Sequence, residues 1–182
     1  MHAGPNVNTH NFLVSFAELH RRPGAMEPIT SDHELIRNAI ASVAISFDMK
    51  TFEELRGSFT KDCVADYTGS LGLLNGIETV IQQLRKIIEH LSTFHTLGTQ
   101  VIRLTGDNTA EAITYCSASH FGDGKSFFSE GRYFDKLVKV TEGGTVKWLI
   151  EHRLTTMMGV PRGDVSIFKM DTLKERADTL KA

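Results

Sequence analysis

The stretch from Phe94 to Met157 constrains this chain most, because it holds four long β-type runs with almost nothing between them. The runs are 94–104, 110–121, 127–140 and 146–157. They are separated by Thr105-Gly106-Asp107-Asn108, Gly122-Asp123-Gly124 and Glu142-Gly143-Gly144. Gly, Asp and Asn at these points supply the backbone conformations of tight turns. A parallel connection needs about a dozen residues for its crossover. None of the three connections has that room, so the sheet is expected to be mostly antiparallel.

Helical patterning comes before the strands. Ser31 followed by Glu34 is a capping-box pair, and Leu35, Ile36, Ala39, Ile40, Val43, Ala44 and Phe47 then recur at helical spacing. A short second helix is expected from Lys50 to Arg56, a brief strand from Asp62 to Tyr67, and a turn at Thr68-Gly69-Ser70. Gly76 opens a third helix whose Ile77, Val80, Ile81, Leu84, Ile87, Ile88 and Leu91 form one face. Helices first and a meander afterwards describe an α+β fold. Strands this long have to bend around three helices, giving a cone whose open end is a natural ligand pocket. In the last strand, alternation puts Val146, Trp148, Ile150 and Leu154 on one face and Lys147, Glu151 and Arg153 on the other.

The expected organisation is an irregular arm over 1–28, one domain over 29–158 and a tail over 159–182. That tail carries an apolar Ile167-Phe168 pair and a charged helix from Asp171 to Lys181. With 182 residues, 41% of them hydrophobic, one domain can build its own core without a disulfide or a metal. A net charge of −2 gives no electrostatic reason to expect nucleic acid or a membrane as partner. Cys63 and Cys116 sit in apolar stretches, where a small buried thiol is the ordinary reading. No apolar run approaches the ~20 residues of a spanning helix. The first 28 residues lack the layout of a secretory signal, so a cytoplasmic location is expected.

The chain has no glycine-rich phosphate loop, dinucleotide fingerprint, paired-cysteine or zincin motif, and no serine elbow, so no cofactor and no metal are expected. What remains is acid–base material: Asp48, Tyr67, His95, His120 and Glu130. Each has a plain structural reading. Asp48 suits a helix cap, Tyr67 a strand aromatic with a wet hydroxyl, and His95 a structural histidine at a strand start. His120 closes a row of small residues, Ala112, Thr114, Cys116 and Ala118, which leaves space beside its ring. Glu130 shares a face with Phe128 and Phe134 and belongs at a rim or in a pair, because burying it alone is costly.

Taken together, these positions resemble a known pattern. Phe47-Asp48-Met49-Lys50-Thr51-Phe52-Glu53-Glu54-Leu55 is similar to the Tyr-Asp-x-Lys-x-Trp-x-x-Leu segment of fungal scytalone dehydratases. Tyr67, Thr93-Phe94-His95-Thr96-Leu97-Gly98 and His120 follow at that family's intervals for its catalytic tyrosine and two histidines. Gly131-Arg132-Tyr133-Phe134-Asp135-Lys136-Leu137 and Trp148-Leu149-Ile150 resemble the wider SnoaL-like group within the nuclear transport factor 2-like superfamily.

The resemblance implies a cofactor-free lyase or isomerase: a dehydratase, isomerase or cyclase acting on a polyketide- or terpenoid-like intermediate of secondary metabolism. It implies catalytic roles for Asp48, Tyr67, His95 and His120, with Asp48 hydrogen-bonded to His120. It places Phe47, Phe128, Glu130, Leu137 and Phe168 against a small hydrophobic substrate, with the C-terminal segment as a lid. Phe47 and Leu137 stand where the family has a tyrosine and an asparagine, so the pocket is greasier. A homo-oligomer, dimer or trimer, is implied by the same analogy. The alternative is a non-catalytic binding protein of the same fold.

Overall fold

The computed structural model describes residues 30–67 and 71–168. The expected arm (1–28), the Thr68-Gly69-Ser70 turn and the charged helix from Asp171 to Lys181 lie outside the described residues. The described residues from Ser31 to Phe168 belong to one compact unit.

Helix α1 (Asp32–Met49) begins where the Ser31 hydroxyl accepts the Glu34 N–H, and it buries Ile36, Ile40, Val43 and Phe47. It ends at Lys50, which takes the left-handed conformation (φ 62°) normally left to glycine or asparagine. Lys50 therefore caps α1 instead of opening the next helix, and the short helix is a 3-10 segment, Phe52–Gly57. Strand β1 (Phe59–Tyr67) follows, then β2 (Gly72–Asn75), which the sequence reading did not anticipate. Helix α2 (Ile77–Ile88) buries Ile77, Val80, Ile81, Leu84 and Ile88. Each such side chain contributes about 1.5–3 kcal/mol on leaving water.

The meander consists of β3 (Ser92–Gly106), β4 (Thr109–Gly122), β5 (Lys125–Glu142) and β6 (Thr145–Met157). The strand order is β2-β1-β6-β5-β4-β3, so β3 is an edge. Every pairing is antiparallel except β1 with β6, which is parallel: α2 carries the chain from β2 at one edge to β3 at the other, and the meander returns to β1. The fold class is thus the expected α+β: a few helices within a large, curved, unclosed sheet. A two-residue β7 (Arg162–Gly163) pairs with Phe127 and Phe128 of β5, where β5 projects beyond the end of β6. A 3-10 turn, Val165–Phe168, then buries Ile167 and Phe168.

Alternation along β6 fails at one point. Leu137 pairs with Ile150 but Lys136 pairs with His152, leaving Glu151 as the extra residue of a β-bulge. The inside–outside pattern changes phase there. Trp148 and Ile150 are buried, and so is Arg153, which is 1% exposed. The expectation that Arg153 shares the solvent face with Lys147 and Glu151 is therefore corrected. Leu154 leaves the face of Trp148 and Ile150 for the same reason.

Candidate active site

Between α2, the inner face of the sheet and the Pro161–Phe168 segment lies a largely apolar cavity of about 320 Å³. The helices contribute Phe47, Leu84, Ile87 and Ile88, and the C-terminal segment contributes Pro161, Val165 and Phe168. Polar groups enter from the strands: Tyr67, His95, His120 and Tyr133.

His95 lies near the start of β3. As the edge strand, β3 leaves some N–H groups without a strand partner, and the His95 N–H donates to Asp48 Oδ2 at 2.9 Å. The Asp48 Oδ1 atom meets His95 Nδ1 at 2.7 Å and accepts the Thr93 hydroxyl at 2.9 Å. Lys50 Nζ braces this group, donating to Thr93 Oγ1 at 2.8 Å and to the Phe47 carbonyl at 2.9 Å. Burial alone would push the Asp48 carboxyl up. The His95 ring, the His95 N–H, the imidazole charge and the Thr93 hydroxyl outweigh that, and its pKa is lowered. A carboxylate bonded to one ring nitrogen fixes the tautomer and leaves the other nitrogen, Nε2, available for chemistry.

The expected Asp48–His120 hydrogen bond is not formed. Asp48 serves His95, because the end of α1 packs on the first residues of β3 and not on β4. His120 stands beside His95 edge-on, with ring centroids 5.7 Å apart, and Phe168 closes over it at 5.0 Å. Burial first, and the neighbouring His95 second, push the His120 pKa down to about 4, so its ring is neutral at ordinary pH. Its Nδ1 is buried with no hydrogen-bond partner among the described residues.

Tyr67 lines the cavity from the end of β1. Burial pushes its phenol up to about 12, while the Arg153 guanidinium pulls the other way through charge and a hydrogen bond. Arg153 is held by two bonds to Asp135, at 2.7 and 2.8 Å, and both side chains are buried. Burial opposes the Arg153 charge and the Asp135 carboxylate more than restores it.

Phe47 and Phe168 line the cavity, but Phe128, Glu130 and Leu137 do not. Phe128 and Glu130 lie on the outer face of β5, where Phe128 packs on Phe121 and Glu130 accepts two bonds from Arg162. Leu137 is buried in the core, 1% exposed. The β5 residues that line the cavity are Phe127, Ser129 and Tyr133, which sequence reasoning missed. The turn between β4 and β5 could have found them. Asp123 and Gly124 both have positive φ, as a two-residue type I′ hairpin requires. That turn fixes the register and sets Phe127 opposite His120.

The C-terminal segment is tied down at several points. His90 Nε2 donates to the Ile167 carbonyl at 2.9 Å, and Lys125 reaches Asp164 and Ser166. Gly163 (φ 105°) passes so close to the Ser126 carbonyl that a Cβ would collide with it. Among the described residues no cluster of three or more His, Cys, Asp or Glu side chains could hold a metal. No helix among them is long and apolar enough to cross a membrane.

The sequence profile of the SnoaL-like domain matches residues 28–154, which contain Asp48, Tyr67, His95, His120 and Tyr133. This chain belongs to the SnoaL-like family. Solved structures with the same cone include a provisionally named scytalone dehydratase of Novosphingobium aromaticivorans (21% identity, 71% of this chain and 85% of that one, TM-score 0.61). A provisionally named aromatic ring hydroxylase of the same organism aligns at 18% identity over 73% and 93% of the chains, TM-score 0.66. A hexachlorocyclohexane dehydrochlorinase, LinA type 2, aligns at 14% identity over 71% and 88%, TM-score 0.59. At these identities the likeness of the SnoaL-like chain to them is one of fold. No curated protein matches its sequence.

Proposed function

We propose that this SnoaL-like protein is a lyase or isomerase that moves protons on a small, flat, hydrophobic ketone of the polyketide or terpenoid kind, using only its own side chains. The observation that carries the reading is the Asp48–His95 contact at the wall of an apolar cavity. His95 Nε2 takes the proton α to the carbonyl, and Asp48 stabilises the imidazolium that forms. The freed electron pair moves onto the carbonyl oxygen. Tyr67, protonated at neutral pH, donates a hydrogen bond to that oxygen as charge develops. His120 is neutral and adjacent. It relays the collected proton to a departing hydroxyl in a dehydration, or to another carbon in an isomerisation. Phe168 and Val165 keep water from competing.

The greasy lining, Phe47 included, favours as a second reading a binding protein without turnover. The two are separated by incubating the protein in D2O with 2-tetralone and 3-hydroxy-1-tetralone and following α-deuteration and loss of water by mass spectrometry. The enzyme reading expects exchange above background, reduced about 10²-fold or more in His95→Gln. Binding without exchange favours the second reading, and undiminished exchange in His95→Gln removes His95 as the base.

A further inference from the structure

At the base of the cavity, Tyr133 has a hydroxyl that the mechanism above does not use. The side chain is buried, 9% exposed, and lines the cavity from β5. Its O–H donates to Cys116 Sγ at 3.2 Å. A thiol sulfur is a weak acceptor, so this bond costs little to exchange for a better one. The Arg153 guanidinium lies over the Tyr133 ring, 4.3 Å from its centroid, and also interacts with the Tyr67 hydroxyl. Two phenols thus share one fixed, buried positive charge, while Asp135 takes up two of the guanidinium N–H groups.

We propose that Tyr133 is a second phenolic donor of the ligand site and acts with Tyr67, in the field of Arg153, to bind an oxygen that is or becomes anionic. The ligand class is an enolisable ketone or a phenol, bound as enolate or phenolate. The proposal rests on the cavity being the substrate site, though not on turnover. On ligand entry the Tyr133 O–H leaves Cys116 and turns to the ligand oxygen. Burial pushes both phenols up, so they remain donors and do not ionise against the bound anion. Cys116 then acts as a resting place for the hydroxyl hydrogen, held lightly because sulfur accepts poorly.

The probes are 4-nitrophenol, whose phenolate is coloured, and its methyl ether 4-nitroanisole, which cannot ionise. The wild-type protein is expected to bind 4-nitrophenol as the phenolate at a pH where the free probe is largely protonated. Tyr133→Phe and Tyr67→Phe should each weaken phenolate binding about ten-fold or more, the worth of one hydrogen bond to a charged group, and leave 4-nitroanisole within about two-fold. Cys116→Ser supplies a stronger acceptor and should weaken phenolate binding, while Cys116→Ala should equal or exceed wild type. Equal losses for both probes in Tyr133→Phe would make the residue a packing element and overturn the proposal. A phenolate shift abolished by His95→Gln and untouched by Tyr133→Phe would assign the anion to the histidine and overturn it as well. If neither probe binds, the cavity reading falls together with the proposal. Probe binding without α-deuteration of the tetralones removes only the enzymatic reading.

Discussion

Two polar clusters flank the cavity, and they are built in opposite ways. At the histidine end, Asp48, Thr93, Lys50 and His95 form a network that keeps some contact with solvent; the Asp48 side chain is 21% exposed. It joins a helix end to an edge strand. At the base, Arg153 and Asp135 are sealed in the middle of the sheet, 1% and 0% exposed, with aromatic rings of Phe59 and Tyr133 stacked on the guanidinium. The first arrangement can change protonation while its groups keep hydrogen-bond partners. The second cannot, because an unpaired buried charge is expensive. A solvent-touched titratable network and a sealed ion pair are thus segregated within one domain.

The largest expected effect tests that segregation at the base. Asp135→Ala strands the Arg153 guanidinium and should lower stability by about 3–5 kcal/mol in urea denaturation. The double change Asp135→Leu with Arg153→Met should recover most of it. Asp48→Ala should cost less than half as much, and an equal loss would break the contrast.

Next in size is the acid response of the histidine end. His120 has its pKa pushed down to about 4 from 6.5, so between those values the unfolded chain binds the additional proton. The stabilisation is complete above about pH 6.5 and is lost as the pH falls towards 4, about 3 kcal/mol in all. Asp48, whose pKa lies below the ordinary carboxyl value, adds its own loss only at lower pH. Replacing His120 with Phe should flatten the urea midpoint over the upper window, and an unchanged slope would show that the ring is not held neutral.

A smaller effect is expected where the C-terminal segment crosses β5. Gly163→Ala places a Cβ on the Ser126 carbonyl at a positive φ and should destabilise by about 1–3 kcal/mol. Hydrogen exchange should rise in 161–168 and stay unchanged in α1. The smallest is at Lys50. Gly relieves the left-handed backbone there, worth up to about 1 kcal/mol, and removes the ammonium from Thr93. Lys50→Gly should therefore leave stability within about 1 kcal/mol of wild type and slow tetralone exchange several-fold. Full exchange activity would reduce Lys50 to a cap.

The sequence carried the layout of the sheet more openly than the wiring of the site. Turn residues fixed the meander, and the Asp123-Gly124 pair encoded a register from which Phe127 and Tyr133 follow. Helical periodicity marked α1 and α2 because each buries a single face. The choice of His95 over His120 by Asp48 was hidden, since it depends on how a helix end docks on an edge strand. Arg153 was hidden too. Strict alternation places it outside, and Glu151 has no composition that announces a bulge.

The supernumerary Glu151 also makes β6 divisible into two lengths of strand with separate duties. Above it, Trp148 and Ile150 belong to the core; below it, Arg153 is sealed behind Tyr133, and Thr155 and Met157 line the cavity. Because Lys136↔His152 and Leu137↔Ile150 become consecutive pairs once Glu151 is removed, a one-residue change of length can be absorbed at this joint. A chain built this way can gain or lose a residue between its keystone and its pocket while both keep their orientation, which gives descendants room to reshape what they hold.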